Sequence, residues 1–265
     1  MKILLLAFQF LTIIPVRVKG AVTEKEVGRS GLFFPLVGAF QGIIGALAMF
    51  LLVLLFSVPV ACGLVVFILI ATNGGFHLDG LADTFDAIAV KSTGNRTEDR
   101  QKRLSVMKDS ATGAIGVTAI VMAVLLKYLL VSSLFEKYDA MSAVYLVFLM
   151  PLFSKWSILP VMFHGKPARD EGLGRIFVDG TTRAVLLLST LLLVVIYVFA
   201  ALLSSMIDLL PSINFLIVSG LSLYAFSLLW SLFCSRRFGG LTGDTIGAAG
   251  EIGDLLFLAI ASLWF

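Results

Sequence analysis

Asn73-Gly74-Gly75-Phe76-His77-Leu78-Asp79-Gly80-Leu81-Ala82-Asp83-Thr84-Phe85-Asp86 is the stretch around which the chain is organised. An apolar run from Val58 to Ala71 leads into it, and three carboxylates follow at offsets of four and seven. On a helix that spacing stacks Asp79, Asp83 and Asp86 on one face over two turns. No Lys or Arg is interleaved, so the like charges repel and the face must meet open water or hold a cation. Gly80, Leu81, Ala82 and Phe85 between them are small or apolar, which argues against a freely solvated stripe. A hard divalent ion bound by the carboxylates, with substrate phosphates completing its shell, accounts for the pattern best.

The surrounding chain is a membrane protein. Its 265 residues are 59% hydrophobic and 14% charged, with mean hydropathy +1.02, whereas about a quarter of a soluble domain is charged. Cys62 and Cys234 both lie in apolar runs and read as small core residues. The basic residues flank apolar runs without interleaved aromatics, which excludes nucleic-acid recognition.

The fold expected is all-α: one integral membrane domain over 1–265, a polytopic helical bundle of six to seven spans plus an N-terminal interfacial helix. Met1 to Val16 is short for a span and has no cleavage-site pattern, so it reads as that retained helix. Spans are expected at Gly31–Phe56, with Gly38, Gly42 and Gly45 as a packing face, and at Val60–Thr72, continuing as helix through Gly74 and Gly75. Further spans are expected at Gly113–Phe135, Ala140–Phe163, Ala184–Met206 and Ile213–Cys234, with Asp208 and Pro211 between the last two. A final apolar segment ends at Phe265.

Seventeen of the twenty Lys and Arg lie in the N-terminal segment and in loops 73–112, 164–183 and 235–245. The alternate turns hold only Lys137, so these loops are expected together on the cytoplasmic side of the cell's inner membrane, the acidic stripe among them.

Other polar residues fall into place around that face. In Met107-Lys108-Asp109-Ser110-Ala111-Thr112-Gly113, Asp109 or Ser110 can cap the next helix, or the helix terminus and Lys108 can receive phosphate. Arg236 and Arg237 suit membrane anchoring, and Gly239, Gly240 and Gly243 allow close backbone approach to a ligand. Gly74-Gly75 before Asp79 and Gly239-Gly240 before Asp244 are a weak internal echo. Lys155 is expected to reach an anionic substrate, Lys127 to find a buried partner or snorkel, and His77 and His164 to be structural.

The segments GGFHLDGLADTFDA (74–87), MKDSATGAIG (107–116), ARDEGLG (168–174) and GGLTGDTIGAA (239–249), with FQFLTIIPV (8–16) and FFPLVGAFQGIIGAL (33–47), resemble the cobalamin synthase family, the adenosylcobinamide-GDP ribazoletransferases. The resemblance runs in order along nearly the whole chain. It departs at Ala111, where the family often carries a basic residue. The resemblance implies a magnesium-dependent phosphotransferase that joins α-ribazole, or its 5′-phosphate, to adenosylcobinamide-GDP and releases GMP. It implies Asp79, Asp83, Asp86 and Asp244 as Mg2+ ligands, with Asp83, Asp86 and Asp244 the catalytic candidates and Asp244 a further ligand or the base. Arg103, Lys108, Asp109, Ser110, Arg169, Arg236, Arg237, Gly239 and Gly240 become the substrate-binding candidates. The lipid bilayer is the remaining partner, and a homo-oligomer is compatible with the sequence.

Three rival readings share parts of this pattern. CDP-alcohol phosphotransferases carry an Ala-Arg pair after their Asp-Gly that is absent here. Membrane prenyltransferases use two aspartate-rich stretches, and here the second has only Asp244, with Glu251 and Asp254 further along. An ion-coupled transporter needs titratable groups near mid-bilayer, whereas the expected acids cluster at the edge.

Overall fold

In a computed structural model that describes residues 1–205 and 213–264, the protein is a bundle of α-helices without a named strand among those residues. The helices are α1 (Lys2–Leu11), α2 (Glu24–Arg29), α3 (Phe34–Leu52), α4 (Val58–Thr72), α5 (Phe76–Ala89), α6 (Arg96–Val106), α7 (Ala114–Lys137), α8 (Ala140–His164), α9 (Leu173–Gly180), α10 (Arg183–Ser205), α11 (Ile213–Phe238) and α12 (Gly243–Leu263). Six of the described segments are long and apolar enough to cross a membrane, the first running from Glu24 to Leu52, and the pair α4–α5, bent by 88°, passes the same test only when its two helices are taken together. The expected turn at Asp208 and Pro211, and the end of the fifth span at Met206, lie outside the described residues.

The bundle is built around α8, in which every side chain from Leu149 to Met162 is buried. Small residues let α3 lie directly on it: a Cβ at Gly38 would sit 2.3 Å from the Pro151 carbonyl oxygen, and one at Gly42 2.1 Å from that of Phe148. Close backbone approach of this kind is how helices associate where lipid removes the hydrophobic drive between them. Gly45 faces Leu69 of α4 instead. Leu187, Leu191, Phe199, Leu221 and Leu229 of α10 and α11 stay exposed, a lipid-facing surface. The α1 helix is ten residues long and packs on the bundle through Leu6, Ala7 and Leu11.

One expectation is overturned here. The α4 helix does not continue through the glycine pair. It stops at Thr72, Gly74 and Gly75 take φ of +67° and +75°, and α5 leaves at 88°. Glycine adopts that left-handed backbone without the Cβ clash other residues meet, and Asn73 secures the turn by accepting the Gly75 amide at 2.9 Å. The first span is also displaced from the expected Gly31–Phe56: it runs from Glu24 through the 3-10 turn Ser30–Phe33 and ends at Leu52.

The four polar segments meet at one end of the bundle. Arg100 donates to the Ala168 carbonyl at 2.8 Å, Arg169 to that of Leu104 at 3.1 Å, and Arg237 to that of Ile88 at 3.2 Å. Backbone bonds between Lys166, Ala168 and Leu241 tie the loop after α8 to the one after α11. Lys2 pairs with Glu26, and Arg175 with Glu24. Segments more than a hundred residues apart thus form one continuous charged cap.

Candidate functional site: facing carboxylates on α5 and α12

Helix α5 slants from the break at Gly75 out to the charged end, carrying Asp79 exposed in its first turn and Asp83 and Asp86 half-buried beyond it. Asp244 stands in the first turn of α12, half-buried, behind an N-terminus closed by a reciprocal Thr242–Thr245 capping box. The two helices touch at Gly80, where a Cβ would lie 2.7 Å from the Asp244 carbonyl oxygen. That contact brings the two acidic faces together. Each Asp follows a glycine pair that ends the previous helix, so the sequence echo has a local counterpart at both breaks.

The electrostatics follow from the crowding. Burial, then the charges of Asp79, Asp244 and Asp86, push the Asp83 carboxyl up to about 6, while Arg169 opposes the shift. Both effects disfavour the ionised form, and a cation placed between the faces would relieve them. Among the described residues no three His, Cys, Asp or Glu side chains converge tightly enough to hold a metal unaided. The acids offer oxygen donors alone, the donor type that Mg2+ takes while keeping part of its shell for water or phosphate.

Asp86 has a second task. Its two carboxylate oxygens accept the backbone amides of Gly113 at 2.7 Å and Gly116 at 2.8 Å. The start of α7 has no side-chain cap of its own, so the cap comes from α5. The expected cap from Asp109 or Ser110 does not form: Asp109 accepts the Ala111 amide at 3.1 Å in the preceding loop, and Lys108, Asp109 and Ser110 are all exposed.

The basic candidates separate into two groups. Arg169 stays beside the acids and lines, with Asp244, Glu171, Leu173, Gly174 and Thr242, a cavity of about 190 Å³. Arg103 is 5% exposed, 3.8 Å from Asp99 and 3.3 Å from the Arg237 carbonyl oxygen, so it joins α6 to α11 and faces no open space for phosphate. Arg237 is committed to Ile88, and Arg236 is exposed. At Gly239 and Gly240 the close approach is to the chain itself, by the Arg100 guanidinium and by the Lys166 carbonyl oxygen. Arg100 was not legible as a site residue, since one more Arg in a basic helix carries no distinguishing signal.

Lys155 does not reach the charged end. It is 2% exposed, with its Nζ 3.1 Å from His77 Nδ1. Lys127 is likewise buried and bonds Glu251 at 2.8 Å and Asp254 at 2.7 Å. His164 contacts the Tyr224 hydroxyl at 2.7 Å.

Residues 3–262 match the family model described as Cobalamin-5-phosphate synthase. The chain belongs to this family. It is 36% identical to an adenosylcobinamide-GDP ribazoletransferase of Thermodesulfovibrio yellowstonii over 96% of this chain and 93% of that one. It is 34% identical to the Geotalea daltonii protein of that name, over 97% and 96%, and 30% identical to the Clostridioides difficile one, over the same shares. No solved structure matches the chain. The family match takes in every segment that forms the charged end, from α2 to the first turns of α12.

Proposed function

We propose that the protein transfers the adenosylcobinamide phosphoryl moiety of adenosylcobinamide-GDP to α-ribazole or its 5′-phosphate. GMP is released and adenosylcobalamin or its 5′-phosphate is formed, at the cytoplasmic face of the cell membrane. The observation that carries this reading is the meeting of the α5 and α12 carboxylates beside Arg169, in a chain matching the family over residues 3–262.

Asp79, Asp83 and Asp244 would hold Mg2+ once substrate phosphates complete its shell, and Asp86 completes the acidic set while anchoring α7. The ion, when bound, neutralises charge on the phosphates. Arg169, at the wall of the cavity, binds diphosphate oxygens and holds the leaving GMP in line with the attacking hydroxyl. One of the site's carboxylates accepts the proton of that hydroxyl as the bond to the cobinamide-side phosphorus forms and the bond to GMP breaks. Little covalent chemistry is asked of the protein; positioning and charge carry the rate.

The buried charges of α7, α8 and α12 raise the transporter reading again, because they lie deeper than the expected acids. They are paired with one another, and the space beside them is about 10 Å³, room for about one water. A space of that size admits nothing larger than water. The test of the transferase reading is GMP release from adenosylcobinamide-GDP plus α-ribazole, with and without Mg2+, beside Asp83→Asn. Release that needs both substrates and the metal and collapses in the variant supports it; binding without turnover in the native protein removes it.

A further inference from the structure

The charges buried beneath the acidic site are not used by the reaction as just described. Lys127 of α7 is 3% exposed, and its ammonium bonds Glu251 and Asp254, which lie seven and ten residues along α12 from Asp244. Lys155 of α8 borders the same small space as Lys127, Asp254 and Asn73, and meets His77 of α5 at 3.1 Å. An ammonium can only donate, so His77 Nδ1 is the acceptor. Asn73 is the residue that secures the break between α4 and α5.

Stability alone gives a poor reason for such a cluster. Buried ion pairs recover their desolvation cost barely or not at all, and apolar replacements of equal volume often do as well. Its position gives a better one. The acidic site presses like charges on α5 and α12 against each other across a contact with no spare room at Gly80. That repulsion tends to part the two helices. Each is tied to a neighbour: α5 to α8 through His77, α12 to α7 through Glu251 and Asp254, α12 to α8 through Ser154, which donates to the Gly250 carbonyl, and α7 back to α5 through Asp86.

We propose that Lys127, Glu251 and Asp254, with Lys155 and His77, form a positioning cluster that keeps the carboxylate faces of α5 and α12 in register for the metal. The proposal rests on the reading of those faces as a divalent-cation site. None of its members touches substrate; they act through the helices they hold.

The test uses the full-length protein in detergent and Mn2+ as a spectroscopic substitute for Mg2+. Lys127→Met alone strands two buried acids and is expected to unfold. The triple variant Lys127→Met/Glu251→Gln/Asp254→Asn removes the tie between α7 and α12 without stranding either acid, while Lys155 keeps its contact with His77. The triple variant is expected to keep its helical circular dichroism and its substrate KM. Mn2+ binding followed by electron paramagnetic resonance should weaken about tenfold, as for other groups that orient ligands. Its kcat should fall about a hundredfold. A folded triple variant that binds Mn2+ like the native protein overturns the proposal.

If the triple variant does not fold, Lys127→Arg decides. The longer fork keeps the charge but shifts α7 against α12, and native Mn2+ affinity in that folded variant also overturns the proposal. Because Mn2+ binding is read without turnover, with inorganic pyrophosphate supplying the phosphate oxygens, the two readings fail separately. Native protein that binds Mn2+ but releases no GMP removes the transferase reading and leaves the cluster's role standing, while native protein that binds no Mn2+ removes both.

Discussion

Gly80 on α5 and Asp244 on α12 meet backbone to backbone: a Cβ on the glycine would lie 2.7 Å from the aspartate's carbonyl oxygen and 3.0 Å from its Cα. Neither neighbour is a flexible side-chain end, so a methyl group there must push the helices apart. Gly80→Ala is expected to lose activity about a hundredfold for a stability cost of only about 1–3 kcal/mol. Gly220→Ala, where nothing lies within 4 Å of the added carbon, serves as the control and should gain up to about 1 kcal/mol from helix propensity. Turnover and thermal midpoints of both variants in the same detergent separate the two effects. Equal loss of activity and folded fraction in Gly80→Ala would show that the contact is not specific to the site.

Asp86 should give a different signature from its neighbours on the stripe. Asp79→Asn removes charge from an exposed side chain and is expected to weaken metal binding while leaving stability unchanged. Asp86→Ala also strips the amides of Gly113 and Gly116 of their acceptor, and loss of a cap costs about 1 kcal/mol. Asp86→Asn keeps one carbonyl oxygen for two donors and should fall between. Hydrogen exchange at residues 113–117 reads the cap directly: protection should drop in both Asp86 variants and stay native in Asp79→Asn.

The acidity of Asp83 makes metal binding sensitive to pH. Its carboxyl titrates at about 6, raised by burial and by the other acids, so below that value a proton occupies the oxygen the cation needs. Mg2+ affinity should be flat from pH 7 upward and fall as pH drops through 6, reaching about a tenfold loss at pH 5. The half-activating Mg2+ concentration across this range measures it. Asp83→Asn, which cannot bind the competing proton, should bind metal weakly at every pH and lose the slope.

The parts of this architecture legible in the sequence are those that repeat along one dimension. The apolar runs gave the helices, the spacing of Asp79, Asp83 and Asp86 gave the acidic face, and the placement of Lys and Arg gathered the polar loops at one end. What needed three dimensions was lost. Gly74-Gly75 reads equally as a packing pair or as a break, and only φ of +67° and +75° decides. Asp99 lies one turn before Arg103 in α6, yet nothing local says that this pair faces inward instead of towards phosphate. The cap of α7 comes from a residue 27 positions earlier, and the partners of Lys127 lie 124 and 127 positions later.

Gly239 carries the sharpest choice between a packing role and a substrate role. It follows α11 with φ of +80°, as a glycine closing a helix does, and a Cβ there would fall 2.1 Å from Cζ of Arg100. Arg100 in turn holds the Ala168 carbonyl, next to the Arg169 that faces the acids. In Gly239→Ala the guanidinium must leave its seat, so Ala168 loses its donor and Arg169 its support. The expected outcome is a KM for adenosylcobinamide-GDP raised about tenfold, with kcat less affected. Arg100→Ala should reproduce most of that rise by removing the same support. The double variant Gly239→Ala/Arg100→Ala has no collision left to relieve, so its defect should match Arg100→Ala alone instead of the product of the two. If the two defects multiply, the glycine serves the substrate directly and its packing against Arg100 is incidental.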